Sequence, residues 1–340
     1  MKESEIRPRK MFNRYLELAR RDNDVFFADR KEFIDVCCPG CGGTDRKPGL
    51  EKLGFCYLLC SDCDSLYLSP RPPEQMYARY YREAESVKFW STHFYKETVE
   101  ARREKIFRPR AEIVREWATR LNSLPDPFGT FVDIGSGYGT FLEEIKRLGI
   151  FSEIAGIERE ARLSRISRDL GFDIIEKDLE SVAEGDISAD FATAFEVLEH
   201  VFDPPAFIRA ARRIMRPGGL LMLTTLTVSG FDIQVLWENS KSVYPPHHIN
   251  LISVAGMQRL MERCGLRIRD LATPGELDLE IVGNIKQEIP EVALPRFVSQ
   301  LLNAPSDVRR NFQNFLKTNA LSSHIRVVSA RSPEVKDDRS

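Results

Sequence analysis

The stretch "FVDIGSGYGTF", residues 131 to 141, sets an apolar run ending in an aspartate ahead of three alternating glycines. Glycine has no Cβ, so Gly135, Gly137 and Gly139 let a chain leaving a strand turn sharply and lie close to a ligand. A helix is predicted over 138 to 148, where Phe141, Leu142, Ile145 and Leu148 recur at helical spacing. The loop reads GxGxG, which is not the GxGxxG dinucleotide fingerprint, and no GxxxxGK[ST] phosphate loop occurs in the chain. No basic residue lies in or beside the loop. A bound diphosphate would be helped by one.

Working outward, apolar β-type runs alternate with helical ones: "TFVDIG", "EIAGIE", a helix over 160 to 170, "FDIIEKD", "ADFATAFEVLEH", a helix over 204 to 215, and "GGLLMLTTL". Such alternation predicts an α/β fold, a Rossmann-like, largely parallel sheet with right-handed crossovers and helices on both faces. The second strand ends in Glu158, about twenty residues beyond the glycine loop, where a carboxylate can accept both hydroxyls of a ribose. The third ends near Asp178, a position suited to an adenine edge. "LRIRDLAT" reads as a sixth strand and "SSHIRVVSAR" as a last, antiparallel one. Between them an insertion at about 285 to 320 is expected to be helical. There Ser306 caps a helix that buries Phe312, Phe315 and Leu316, and the insertion either covers an acceptor pocket or packs a homodimer.

The chain has 340 residues, 42% of them hydrophobic and 29% charged, with a net charge of −2. That balance is globular and gives no overall basic excess for a nucleic-acid backbone. The N-terminus has no apolar core of signal-peptide type, and "GLLMLTTLTV" is too short to span a bilayer, so a cytoplasmic protein without a membrane span is expected. Two CxxC pairs, Cys38/Cys41 and Cys60/Cys63, are spaced to bring four thiolates to one tetrahedral zinc ion with no position left open for water or substrate. Such a zinc is structural. Cys37 adjoins the first ligand and competes with Cys38 for that place. Cys264 reads as a helix-packing thiol.

These features divide the chain into an N-terminal helical leader with a solvated face (1–34), a zinc ribbon (35–70), a helical linker or cap (71–127), the α/β domain (128–332) and a polar tail (333–340). The prolines of "SPRPPEQMYARYY" mark the boundary after the ribbon. In the linker Pro109 suits a first helical turn, and Ile113, Val114, Trp117 and Leu121 form one stripe.

The succession "VDIGSGYG", "GIERE", "EKDLESV", "ADFATAFEVLEHVFDP", "IMRPGGLLMLTT" resembles the motif series of class I S-adenosylmethionine-dependent methyltransferases, whose sheet has seven strands. The resemblance implies that Gly135, Gly137 and Gly139 pass beneath the methionine part of the cofactor and that Asp133 lies near its amino group. It also implies that Glu158 holds the ribose, that Asp178 and Leu179 border the adenine, and that Glu196 completes the cofactor-lining set. With the ribbon, "LYLSPRPPEQMYARYY" and "PPHHINLIS", the chain is similar to ribbon-bearing bacterial methyltransferases of sugar, polysaccharide and other secondary pathways. Their acceptors are small or carrier-linked, so a nucleotide-sugar or polysaccharide precursor is expected.

Methyl transfer requires alignment and, where the nucleophile carries one, removal of a proton. Glu199 and His200 close the fourth strand at the carboxyl edge, with His200 as candidate base and Glu199 holding its tautomer or acting itself. His247 and His248, in a proline-fixed loop read as a lid, are the second candidates for a base or acceptor contact; otherwise they are packed loop histidines. A metal is not expected on them, because no acid or cysteine adjoins them in sequence. Two other readings stand beside this one: a methyltransferase that recognises RNA or protein through the ribbon, and an interaction protein without activity. The second is disfavoured by the intact glycines and Glu158, which a scaffold does not need.

Overall fold

The computed structural model describes residues 2–120 and 128–332. Leu121 and the tail at 333–340 therefore lie outside the described residues. Two helices, α1 (Glu3–Ile6) and α2 (Arg9–Phe26), open the chain. A hairpin follows, β1 (Arg46–Lys52) and β2 (Phe55–Cys60), whose two-residue turn places Leu53 and Gly54 at φ of 50° and 74°. After β3 (Leu66–Leu68) come α3 (Glu74–Glu83), α4 (Glu85–Phe89), α5 (Tyr95–Arg102) and α6 (Arg108–Arg120), with π-helical turns at Trp90–Phe94 and Arg103–Phe107.

The α/β part runs β4 (Phe128–Ile134), α7 (Thr140–Leu148), β5 (Phe151–Ile157), α8 (Ala161–Asp169), β6 (Asp173–Ile175), β7 (Ala189–Phe195), α9 (Pro204–Arg213) and β8 (Met215–Leu226). It continues through α10 (Phe231–Leu236), β9 (Asn250–Leu251), α11 (Val254–Arg263), β10 (Leu266–Ala272), α12 (Asp278–Glu288), α13 (Arg296–Leu302), α14 (Ser306–Thr318) and β11 (His324–Arg331). Seven strands form one sheet in the order β10-β11-β8-β7-β4-β5-β6. Strands β4 to β8 pair in parallel, and β11 is antiparallel to both β8 and β10, as the sequence predicts for the last strand.

Alternation along β4 sends Val132 to a core with α9 and α11, and Phe131 to the opposite core with α6 and α7. Helices therefore cover both faces. The chain winds outward from β4 to β6 and returns to β7 on the other side of β4, which creates a switch point where open α/β sheets bind ligands at their carboxyl ends.

Several expectations are corrected. The leader is not a solvated face: α2 buries Phe12, Tyr15, Leu18 and Ala19, because its apolar stripe has α4 to pack against. The insertion begins earlier, with α12 at Asp278. Ser306 is the first helical residue after Pro305 and makes no side-chain cap, and Phe315 is half exposed while Leu316 carries the burial. The ribbon's sheet does not stop at residue 70: β3 pairs antiparallel with β9, Leu66 against Leu251 and Tyr67 against Asn250, giving a four-stranded sheet β1-β2-β3-β9. The proline-punctuated stretch holds Arg71 fully buried, where it donates to the carbonyls of Leu68 and Phe202 and to Asn250 Oδ1. No helix among the described residues is long and apolar enough to cross a membrane.

Candidate active site

At the carboxyl end of β4, Gly135, Gly137 and Gly139 all take positive φ (75°, 55° and 72°), which other L residues rarely adopt. A Cβ on Gly135 would strike Val197, whereas one on Gly137 would meet only Gly135's carbonyl oxygen, 4.0 Å away. The loop is tight at its base and open at its tip. The amide of Gly137 donates to Glu158 Oε2 at 3.0 Å, and the Glu160 amide donates to the other oxygen at 2.9 Å. This joins the glycine loop to the end of β5. Burial raises the carboxyl of Glu158 against those two hydrogen bonds. Asp133 is buried, accepts from Thr193 Oγ1 at 2.6 Å, and is pushed up by burial to about 7. Ser136 Oγ is buried with no partner among the described residues. An open glycine tip, an orphaned hydroxyl and a carboxylate with further acceptor capacity fit a nucleoside with hydroxyl and amino groups.

Leu179 is buried, while Asp178 is exposed and pairs with Arg159 at 3.3 Å. Glu196 has a φ of 54° and is fully engaged: Oε1 accepts from Arg110 at 2.5 Å and from Thr224 Oγ1 at 2.8 Å, and Oε2 meets His324 Nε2 at 3.0 Å. Burial works to raise its pKa, but the His324 ring and the Arg110 guanidinium hold it well below the usual carboxylate range.

One turn on, Glu199 is buried and accepts from Thr225 Oγ1 at 2.7 Å; burial, with the Glu196 charge behind it, pushes its carboxyl up to about 8. His200 Nδ1 donates to the carbonyl of His247 at 2.9 Å, which leaves Nε2 as the free lone pair. Burial pulls His200 down to about 4. His248 repeats the arrangement, with Nδ1 donating to the Ser242 carbonyl at 2.6 Å and burial pulling it down to about 3. Donor atoms of Glu199, His200 and His248 lie within 4.8 Å of one another. The histidine loop thus does have an acid partner in space, contrary to the expectation from its flanking sequence, and the trio could hold a divalent cation. His247 is packed differently. Its ring is buried, bonds to Tyr80 Oη and has Tyr15 and Tyr80 at 5.3 Å, so only its carbonyl reaches His200.

Aromatic residues of the N-terminal region roof this edge, and sequence reading singled out none of them. Tyr95 stacks on Tyr138 of the glycine loop at 4.5 Å and 8°, and its hydroxyl donates to Thr140. Tyr81 Oη lies 3.5 Å from His200 Nδ1, and Tyr244 donates to the Leu16 carbonyl at 2.6 Å. Asn250 donates to the carbonyls of Leu198 and Val201 and ties β9 to the loop after β7. The aromatic richness of residues 74 to 121 was the available signal, but it does not say which rings meet a site.

The four sulfurs of Cys38, Cys41, Cys60 and Cys63 also lie within 4.8 Å of one another, with 3.5 Å between Cys38 and Cys63 and between Cys41 and Cys60. Four sulfurs about 2.3 Å from one zinc ion stand about 3.8 Å apart in a tetrahedron, so the spacing fits. Cys37 is exposed and outside the cluster, which favours Cys38 at that position. Ser253 Oγ donates to the Cys63 carbonyl, and its amide donates to Ser65 Oγ at 3.0 Å, linking the cluster to the segment after β9.

A family model described as a methyltransferase domain matches residues 99–271. A ubiquinone biosynthesis O-methyltransferase of Xanthomonas oryzae pv. oryzae is 30% identical over 154 residues, covering 42% of this chain and 64% of that protein. Its counterpart in Xanthomonas campestris pv. campestris is 34% identical over 159 residues, covering 43% and 66%. The chain thus spans under two thirds of either relative. Among solved structures, the plantazolicin methyltransferase BpumL in complex with S-adenosylhomocysteine matches with a TM-score of 0.48 at 13% identity, over 75% of this chain and 93% of that one. A methyltransferase from Clostridium acetobutylicum gives 0.46 at 9%, over 71% and 97%.

Proposed function

The chain belongs to the S-adenosylmethionine-dependent methyltransferase family, and from that premise we propose that it methylates a small or carrier-linked acceptor, with His200 as the base. S-adenosylmethionine supplies an electrophilic methyl group on a sulfonium. Glu158 takes the ribose hydroxyls, the glycine loop with Asp133 takes the amino acid portion, and Leu179 with Asp178 borders the adenine.

The observation that carries the catalytic part is the pinned imidazole of His200. Its Nδ1 proton is spent on the His247 carbonyl, which leaves Nε2 as a neutral acceptor at physiological pH. Glu199 keeps its own proton to about pH 8 and is therefore the weaker candidate for base at neutral pH. An acceptor hydroxyl gives its proton to Nε2 as its oxygen takes the methyl group in line. O-methyl transfer, named for the Xanthomonas relatives, supports oxygen as the nucleophile. The ribbon-bearing arrangement supports a nucleotide-sugar or polysaccharide precursor as acceptor, and the buried aromatic roof suits a small substrate better than RNA or protein. The zinc ribbon serves as a structural brace: its ion, held by Cys38, Cys41, Cys60 and Cys63, fixes β3 and through it β9.

The test is calorimetric titration with S-adenosylhomocysteine, followed by incubation with S-adenosylmethionine labelled in the methyl group and a panel of nucleotide sugars and phenols. Micromolar cofactor binding and label transfer that is lost in His200→Gln support the reading. Transfer at an undiminished rate in His200→Gln removes His200 as the base.

A further inference from the structure

Beside the histidine cluster lies a cavity of about 390 Å³. Its floor is the end of β8 and the start of β11, and its walls come from α1, α6 and α12. Much of the lining is apolar, from Ile6, Ile106, Ile113, Met222, Leu226 and Ile281. Ser242, whose carbonyl holds His248, also lines it, so the cavity adjoins the proposed base cluster directly.

The charged groups of this wall are unevenly matched. Lys105 pairs with Glu5 at 2.5 Å, Lys317 with Glu276 at 2.8 Å, and Arg326 with Asp270 at 3.0 Å. Arg110 shares Glu196 with His324. Of the acids on the wall, Glu3 accepts from Asn284, and Asp278 accepts from Gln313, Ser322 and Ser323. Two guanidinium groups remain. Arg7 lines the cavity and rests 5.4 Å over the Phe12 ring, with no carboxylate within salt-bridge distance among the described residues. Arg102 lies behind the wall over Tyr95 and feels the charges of Arg7, Arg110 and Glu196. Its buried Nε has no hydrogen-bond partner among the described residues, and it too has no carboxylate in reach. A buried guanidinium donor without a hydrogen-bond partner is costly, and a planar oxyanion is the group that matches guanidinium donors.

We propose that this cavity anchors the acceptor and that the acceptor is an organic anion, with an apolar body along the aliphatic wall and a carboxylate or phosphate held by Arg7, with the Arg102 charge behind it. This inference rests on the methyltransferase reading and adds the substrate class. The anion is held at the α1 and α5 side, and the opposite end of the molecule is left to run past Ser242 toward His200.

The test uses the full chain saturated with S-adenosylhomocysteine and titrates two matched pairs, phenyl phosphate against phenol and benzoate against benzyl alcohol. At least one anion should bind about tenfold more tightly than its neutral partner, as charge-assisted hydrogen bonds require. Arg7→Gln and Arg102→Gln should each erase that preference while leaving S-adenosylhomocysteine affinity unchanged. Arg7 directly follows the short first helix, so its variant keeps the test open if Arg102→Gln does not fold. Equal binding of anion and neutral partner, no measurable binding of either anion, or a preference that survives Arg7→Gln would overturn the proposal. In each of those cases retained cofactor binding leaves the methyltransferase reading standing; loss of cofactor binding by the wild type would strike that reading instead.

Discussion

The seven-stranded sheet and the N-terminal region of this chain are built on different principles. In the sheet, β4 to β8 pair in parallel through crossovers, and the glycine loop, Glu158 and Glu196 each follow the carboxyl end of a strand whose alternation is visible. In the N-terminal region the decisive contacts are remote. Leu66 and Tyr67 pair with Leu251 and Asn250, Asn23 donates to the Pro245 carbonyl, and Tyr15 packs on His247. On the proposed reading, the first part places the cofactor and the second shapes the space above it. A module that looks separate along the chain can therefore be one wall of a site.

The largest expected effect lies at that junction. Cys60→Ser should drop bound zinc from about one ion per chain to a minor fraction, read by metal analysis. Because β3 carries β9, it should also speed amide exchange at 66–68 and 249–251, while β4 and β7 keep their protection. Fast exchange confined to 38–63 would show the ribbon to be independent of the histidine loop.

Within the sheet, Glu158→Ala should weaken S-adenosylhomocysteine binding by about 1–3 kcal/mol, the worth of charge-assisted hydrogen bonds. An unchanged calorimetric titration removes Glu158 from the cofactor site.

Proton placement gives a subtler distinction. Nitrogen-resolved NMR of the imidazoles should show His200 neutral, with its proton on Nδ1, from pH 8 down to about 4. A midpoint near 6.5 would mean that the roof does not exclude water. For Glu199 the folded value of about 8 lies above the ordinary 4.5, so the folded state holds that proton more tightly and its contribution to stability falls as pH rises between those values. Glu199→Gln lacks that loss, and its urea midpoint relative to wild type should rise from pH 5 to pH 8. The smallest change expected is Tyr57→Phe, which deletes a 2.7 Å hydrogen bond to the His248 carbonyl and should cost about 1 kcal/mol in chemical unfolding.

Local structure was readable from the sequence wherever one segment contains the whole signal. The alternation of Phe131 and Val132, the glycines that turn with positive φ, the CxxC pairs that meet in one cluster and the carboxylate that follows β5 each have their signal within a few residues. Asn250–Leu251 could not be read as a strand, because two residues carry no periodicity and the partner lies far upstream. Arg71 looked like part of a proline-rich boundary, yet its guanidinium is buried against the nearby Leu68 carbonyl and two acceptors from distant segments. The leader's charges suggested a solvated helix, and only tertiary packing shows that Tyr15 and Ala19 are covered. Glu196 belongs to the same motif as Glu199, but its partners Arg110 and His324 lie far before and far after it in the chain.

The most direct test of the central claim, that the N-terminal region and the sheet close over one cofactor site, is hydrogen exchange of the full chain with and without S-adenosylhomocysteine. The account predicts slower exchange at 135–139 and around Glu158, and also in α3 and α5, where Tyr81 and Tyr95 lie. Protection limited to the glycine loop and β5, with α3 and α5 unchanged, would contradict it.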